Sequence, residues 1–432
     1  MATTIALRSI GCRTNQEEMA AMAFRLIEQG CTVVDRIDDA DVVIVNTCSV
    51  TSCTEAKTIR FLRHVSRRAP YAGICVTGCL AQQKAEQLRR LPNIRWVVGN
   101  GLKNDIPAII LEKDEGVYHG PLESHGAFLQ LPDSPVFFNS SRRTRFSIKI
   151  QEGCDFRCAY CIVPLLRGSS RSASLTGIHD VCRRAIESGF KEIVLTGTHI
   201  GQYRDATEGG LWALLEKITG ISGDYRIRLS SLDPRDLSGA LIRLAATHPR
   251  VCDHLHVSVQ SLSQKVLDRM NRSATDSGSI VELLAKARAD FPRMGIGADF
   301  IAGFPGETEA QFEETVDNVR KIGFSYGHVF RYSRRPFTPA ASFPDHLDEK
   351  EKTRRSARLR AVIDECRSDF IRGCEGSVQR IIAETEEPVT GYSSNYLRLE
   401  ARGALCKRND WCAAVVDAYD PGIGRCIASV AR

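Results

Sequence analysis

The apolar positions change their period twice along the chain, and the changes divide it into three parts. Up to about residue 120, short β-branched runs ("TIALRSI", "ADVVIVN", "YAGICVTG") alternate with helical stretches. These stretches are Gln16 to Glu28, stopped by Gly30, then the basic "AKTIRFLRHVSRR", then "CLAQQKAEQLRRL". Alternating β and α predicts a parallel sheet with helices on both faces. Residues 121–140, "PLESHGAFLQLPDSPVFFNS", lose any period to Pro and Ser and read as a linker.

From 141 to 368 the strand candidates are "RFSIKIQ", "EIVLTG", "YRIRLSS", "HLHVSV", "GIGADFIAGF" and "GHVFRYS". Helical runs such as "GIHDVCRRAIESG" and "QSLSQKVLDRM" separate most of them, which predicts a partial barrel of six β/α units. From 369 to 432, "SVQRIIAET", "VTGYSSNYLRLEA", "WCAAVVDAYD" and "RCIASVA" read as strands of a small β-barrel of the oligonucleotide-binding type. The expected class is α/β, with domains at 1–120, 141–368 and 369–432.

This layout gives the cysteines meaning. Cys12, Cys48 and Cys79 each follow the C-terminal end of a predicted strand. In a parallel sheet those ends share one edge, where ligands bind, so the three can converge although 36 and 31 positions separate them. Cys53 falls at a helix start and Cys75 inside a strand, so both are less well placed. In the barrel the strand ends carry the cysteine cluster of "GCDFRCAYC", then Thr196 to His199, Ser231, Gln260, Gly303 to Glu307 and Arg331. "GFPGE" lacks the Lys and Ser/Thr of a phosphate-binding P-loop and reads as a barrel turn.

Composition adds three points. Sixteen cysteines in 432 residues are not expected as disulfides in a reducing compartment, and Cys31, Cys182, Cys252 and Cys366 read as buried thiols. No apolar run is long enough for a membrane span, and the start, "MATTIALRSIGC", reads as a strand and not a signal peptide; the expected compartment is the cytoplasm. The net charge of +6 leans toward a polyanionic partner, with "RFLRHVSRR", "SSRRTR", "RYSRR" and "KTRRSARLR" as basic stretches that meet phosphates or simply solvate a helix face. Residues 371–432 balance eight basic against eight acidic side chains, so charge there does not argue for RNA. Tyr392, Tyr396, Arg398 and Trp411 either stack on RNA or fill a small core.

Cys154, Cys158 and Cys161 form C-x3-C-x2-C. Thiolates bind zinc or iron–sulfur clusters. A structural zinc site takes four ligands, normally from two C-x2-C knuckles, and no matching knuckle lies nearby. Three thiolates on one loop can hold three irons of a cubane and leave the fourth iron open, as a catalytic site requires.

With Tyr160 before its last cysteine, this motif resembles the radical S-adenosylmethionine (SAM) superfamily. Together with "NTCSVTS", "VTGCLAQ", "DFIAGFPGETE", "YSRRPFTPAA" and "GYSSNYLRL", in order over almost the whole chain, it resembles the methylthiotransferases within that superfamily. The resemblance implies an N-terminal methylthiotransferase domain, a radical SAM barrel and a C-terminal TRAM domain that binds RNA. It implies two 4Fe–4S clusters, one on Cys154, Cys158 and Cys161, the other on Cys12, Cys48 and Cys79, with SAM as radical source and methyl donor. Tyr160, Thr196, Gly197, Ser231, Gln260 and Asp299 are the implied contacts to SAM or substrate. Leu262 stands where the family has Gly, and "LTGTHIGQY" offers no acid for the SAM amino group.

"GCRTNQEE", "NTCSVTS" and "GYSSNYLRL" most resemble the branch that methylthiolates C2 of N6-threonylcarbamoyladenosine at position 37 of tRNA. The isopentenyl-adenosine branch and the branch acting on a ribosomal-protein aspartate are alternatives, and an iron–sulfur RNA-binding regulator is the non-enzyme alternative. The implied partners are the tRNA anticodon stem-loop, a reductase or flavodoxin-type electron donor and a sulfur source, with no membrane.

Overall fold

The computed structural model describes residues 2–120, 122, 144–420, 422 and 424–431. The linker expected at 121–140 lies, apart from Leu122, outside the described residues.

The first sheet has six strands: β1 (Thr4–Ser9), β2 (Thr32–Val34), β3 (Val42–Thr47), β4 (Gly73–Gly78), β5 (Ile94–Val98) and β6 (Gly116–Tyr118). Their order is β2-β1-β3-β4-β5-β6, and every pairing is parallel. Helices α1 (Arg13–Glu28), α2 (Ser52–Arg68), α3 (Cys79–Arg89) and α4 (Ile106–Glu112) connect them. All residues of β3 and β4 are buried, as covering on both faces requires. Strands β2, β5 and β6 escaped the sequence reading. Two of them are only three residues long, and "IRWVV" alternates exposed Arg95 with buried neighbours.

The second region holds β7 (Phe146–Glu152), the short helix α5 (Val163–Arg167), β8 (Arg171–Ser172), β9 (Glu192–Gly197), the β10/β11 hairpin (Arg204–Asp205, Gly209–Gly210), β12 (Arg226–Leu229), β13 (Ser231–Leu232), β14 (His254–Gln260), β15 (Gly295–Ala302) and β16 (Tyr326–Arg331). β7, β9 and β12 pair in parallel, as do β13, β14, β15 and β16, and an isolated parallel bridge links Ile227 of β12 to Val251, just before β14. "YRIRLSS" thus becomes one strand broken at Ser230. Among the described residues no ladder returns from β16 to β7, so the barrel is partial. Alternate residues Leu255, Val257, Val259, Ile296, Ala298 and Phe300 pack outward under the helices, which puts His254, His256, Gln260 and Asp299 on the inner face.

The third region has β17 (Val378–Ile382), β18 (Thr385–Glu386), β19 (Val389–Tyr392), β20 (Arg398–Arg402), β21 (Trp411–Asp420) and β22 (Arg425–Val430), in the order β17-β21-β22-β20-β19-β18. The sheet curls on itself: a Cβ at Gly391 in β19 would lie 2.1 Å from the Ile382 carbonyl oxygen of β17. "VTGYSSNYLRLEA", read as one strand, is a hairpin, because the Ser393 hydroxyl and main chain bond back to Leu397 and close a turn.

Buried ion pairs join the regions. Glu18 of α1 meets Lys103, Lys149 of β7 (3.3 Å) and Arg167 of α5 (2.8 Å). Burial by itself raises the Glu18 carboxyl, but the three cations reverse this and hold it well below the usual range. Arg226 and Arg228 share Glu192 and donate to carbonyls of Arg380, Tyr392, Ser393 and Ser394 in the third region. Glu18→Ala leaves buried Lys103 without its carboxylate and Lys149 and Arg167 sharing Glu152, so unfolding free energy is expected to fall by about 3–5 kcal/mol. Urea denaturation followed by circular dichroism checks this; a midpoint equal to wild type refutes the network's role.

Candidate functional site

β1, β3 and β4 are neighbours, so their C-terminal ends lie side by side, and each is followed by a cysteine. Cys12 caps α1 and Cys79 opens α3, so both stand at the positive end of a helix. The glycines before them make the approach possible. Gly11 has φ +122°, and a Cβ there would sit 2.4 Å from the Cys48 Cβ. Gly78 has φ +95°, and a Cβ would meet the Thr47 carbonyl oxygen at 2.4 Å. Burial, then Cys79 and Cys12, push the Cys48 thiol up to about 12. A soft, all-sulfur donor set suits iron–sulfur ligation. Arg167 stays charged beside them: burial opposes its charge, but Glu18, Cys79, Glu152 and Cys12 favour it. It donates to Asn15 Oδ1 (2.7 Å), an atom 3.5 Å from Cys12 Sγ.

The second trio lies on the loop after β7. Main-chain bonds hold that loop: Cys154 N to Gly168 O (3.1 Å), Ala159 N to Met270 O (2.8 Å) and Cys161 N to Cys158 O (3.0 Å). Burial and then Cys158 and Cys154 push Cys161 up to about 12. Arg272 points at Cys158 Sγ (3.7 Å) and pairs with Asp233 (2.9 Å). His199 Nδ1 lies 3.8 Å from Cys154 Sγ, and its Nε2 is 2.6 Å from Asp236. The donor chemistry again fits a cluster: three sulfurs, no fourth cysteine beside them, and cationic groups aimed at two of them.

The two trios are close in space. Cys79 packs with Ile162 and Leu166, directly after the Cys161 loop. Ile162 also walls a cavity of about 280 Å³, together with Val50 and Thr51 from the first region, Tyr160, Cys161 and Val163, and Gln260, Asp299, Ile301, Phe330, Arg331, Tyr332 and Ser333 from the barrel. Val50 stands two residues after Cys48. Gln260 takes φ +68°, a conformation costly outside glycine, at a bulge against β15.

Of the other sequence candidates, Thr196, Gly197 and Ser231 do not line this cavity. Gly197 packs on Gln151, whose side-chain oxygen accepts from His199 N (2.8 Å), so Thr196 and Gly197 adjoin the cysteine loop through that pair. Ser231 is half-buried at the start of β13, two residues before Asp233. Leu262 is buried, its N–H donating to Thr315 Oγ1 (3.3 Å). The "GFPGE" turn is pinned by Glu307, which accepts from Gly303 N (2.9 Å) and pairs with Arg355 (2.8 Å).

Sequence reasoning passed over the partners of Asp299. His256 Nε2 and His328 Nδ1 each lie 3.0 Å from one of its oxygens, and the Tyr326 hydroxyl bridges His256 and His254 at 2.9 and 2.8 Å. Burial raises the Asp299 carboxyl; the two imidazoles outweigh it and hold the group well below its ordinary range. The signal was present as the alternation in "HLHVSVQ", which puts both histidines on the face of Gln260. The aromatics of the third region are occupied. Tyr396 stacks on His254 (4.6 Å) and Tyr392 (4.9 Å), and Trp411 lies under Arg380 (3.9 Å) and Arg226 (5.3 Å). They join the small barrel to the large one, and Arg398 is the exposed member of the four.

Residues 4–99 match the uncharacterized protein family UPF0004, and residues 148–319 match the Radical SAM superfamily. The chain is 34% identical to the threonylcarbamoyladenosine tRNA methylthiotransferase MtaB of Bacillus subtilis, over 93% of this chain and 90% of that protein. It is 33% identical to the MtaB of Thermotoga maritima, over 93% and 92%. Among solved structures it resembles the radical SAM methyltransferase TsrM of Kitasatospora setae, determined with cobalamin and a 4Fe–4S cluster bound. That likeness has TM-score 0.55 and 15% identity over 79% of this chain and 77% of TsrM, and bears on fold alone. No helix among the described residues is long and apolar enough to cross a membrane. With such identity to relatives over nine-tenths of its length and a Radical SAM match over its barrel, the chain belongs to the radical SAM methylthiotransferase family, MtaB type.

Proposed function

We propose that this chain inserts a methylthio group at C2 of N6-threonylcarbamoyladenosine at position 37 of tRNA, using SAM and two 4Fe–4S clusters. The observation that carries the reading is a cavity walled by both regions: Cys161 and Ile162 line it with Val50 and Thr51, and Ile162 belongs to the same small apolar cluster as Cys79 of the other trio.

In this reading Cys154, Cys158 and Cys161 hold one cluster, and Cys12, Cys48 and Cys79 hold the other. Together the bound groups supply reductive SAM cleavage and sulfur to be methylated. The protein's own residues do the rest. Arg272 and His199 face the sulfurs of Cys158 and Cys154 and orient them. Tyr160 and Gln260 shape the SAM side of the cavity, and Thr196, Gly197 and Ser231 support the cysteine loop from the neighbouring strand ends. Asp299, steadied by His256 and His328, offers an anionic wall for substrate donors, and Phe330, 47% exposed at the rim, offers a ring for a base. Covering by Val50 and Thr51 from the first region keeps water from a reactive radical. The third region, residues 369–432, contributes to tRNA binding. A flavodoxin or reductase delivers electrons, a separate source delivers sulfur, and the work is done in the cytoplasm.

Mass spectrometry of tRNA nucleosides from a strain lacking this gene tests the reading. The 2-methylthio derivative of threonylcarbamoyladenosine is expected to vanish and its precursor to accumulate. Loss of the methylthiolated isopentenyl nucleoside instead would move the chain to the other tRNA branch.

A further inference from the structure

Helix α2 begins at the cavity: Thr51, its cap, is part of the wall, and Ser52 bonds to Ser333 of the barrel (3.1 Å). From there it runs away from the site for 17 residues. Its inner face buries Glu55, Thr58, Leu62 and Val65. The outer face carries Lys57, Arg60, Arg63 and Arg67, all exposed. Arg60, Arg63 and Arg67 line one open groove together with Ala56, Ile59, Ser66 and Pro92. Among the described residues none of the three arginines has a carboxylate partner, whereas Arg68, on the adjoining face, is paired with Asp38 at 2.8 Å.

An amphipathic helix needs a polar outer face, but not one of a single sign without partners. Three unneutralised guanidinium groups in one groove repel one another, and this is tolerated where an anion covers them. At 1.5 Å per residue, Arg60 lies about 14 Å and Arg67 about 24 Å along the axis from Thr51. The arginines themselves span about 10 Å, a reach of the order of three successive backbone phosphates.

We infer that Arg60, Arg63 and Arg67 of α2 form a phosphate-binding track for the stem of the RNA hairpin whose loop base enters the cavity. The inference rests on the tRNA reading above and adds to it where the stem runs. The contact is sequence-independent: guanidinium groups neutralise phosphates and release counterions.

The test compares wild type with the triple variant Arg60→Gln, Arg63→Gln, Arg67→Gln and with the triple Arg→Lys variant. Both are made in the full chain reconstituted with iron and sulfide. Binding to the tRNA substrate is measured by fluorescence anisotropy from low to moderate salt. For three lost phosphate contacts the slope of log K against log salt is expected to become shallower by about two to three. Affinity should fall at least about tenfold at the lowest salt. The Lys variant is expected to retain most of the wild-type slope. Cleavage of SAM without RNA is expected to stay at the wild-type rate in both, which excludes misfolding. Equal slope and affinity in wild type and the Gln variant overturn the inference and leave the methylthiotransferase reading intact. A wild-type protein that neither binds nor modifies tRNA sinks that reading instead.

Discussion

Cys158→Ala is expected to abolish reductive cleavage of SAM. After anaerobic reconstitution and reduction with dithionite, 5′-deoxyadenosine should fall by more than about a hundredfold, beyond the range of an outer-shell change. The physical reason is specific to this loop. Its shape does not depend on the sulfur: Ala159 N bonds to Met270 O, Cys154 N to Gly168 O, and the Asn271 side chain to Arg157 O (2.7 Å). Alanine keeps the Cβ and those bonds, so the lost group is the thiolate that Arg272 faces. Iron content is expected to drop by one cluster of two, with the other trio still loaded. Wild-type yields of 5′-deoxyadenosine would show that Cys158 is not a ligand of the SAM-cleaving cluster.

Cys48→Ala is expected to give the opposite pattern. SAM cleavage stays within a few-fold of wild type, while methylthiolated nucleoside is lost. Cys48 follows β3 of the first sheet, whereas the barrel trio lies on the loop after β7, and the thiols that perturb Cys48 are Cys79 and Cys12. The close Gly11 approach involves its Cβ as well as its sulfur, and alanine retains the Cβ, so the strand-end packing survives. Mass spectrometry of the RNA product and quantitation of 5′-deoxyadenosine in one reaction read both outcomes. Normal methylthiolated product would remove Cys12, Cys48 and Cys79 from the chemistry. The two variants together separate making the radical from spending it on sulfur insertion.

The contrast between the trios also shows what could be read in advance. Cys154, Cys158 and Cys161 are visible as a local motif because one loop supplies all three. Cys12, Cys48 and Cys79 are visible only through the alternation of β and α, which puts the strand ends on one edge. Both are patterns in one dimension. The strands missed in the first sheet, β2 and β6, are too short to show a period. The hairpin missed at Ser393 to Leu397 turns on a serine hydroxyl bond and lacks the expected Gly.

Ser231, Thr196 and Gly197 illustrate the limit from the other side. They sit at the strand ends where the sequence put them, yet the cavity wall is made by other residues, because the cavity opens toward β14 to β16 and the first region.

Sequence alone therefore determined the α/β class, the three-part order, the six cluster cysteines as candidates and the family resemblance. They rest on periodicity, on local spacing and on the order of motifs along the chain, all of which it carries without folding. Tertiary structure decided three further things. It grouped Cys79 with Ile162 and Leu166, so that one cysteine of the first trio packs beside the loop of the second. It paired Asp299 with His256 and His328 from adjacent strands. It packed Tyr396 and Trp411, both half-buried, at the junction of the two barrels. Each is a contact between residues far apart in sequence, set by strand order, register and burial, which no local pattern encodes.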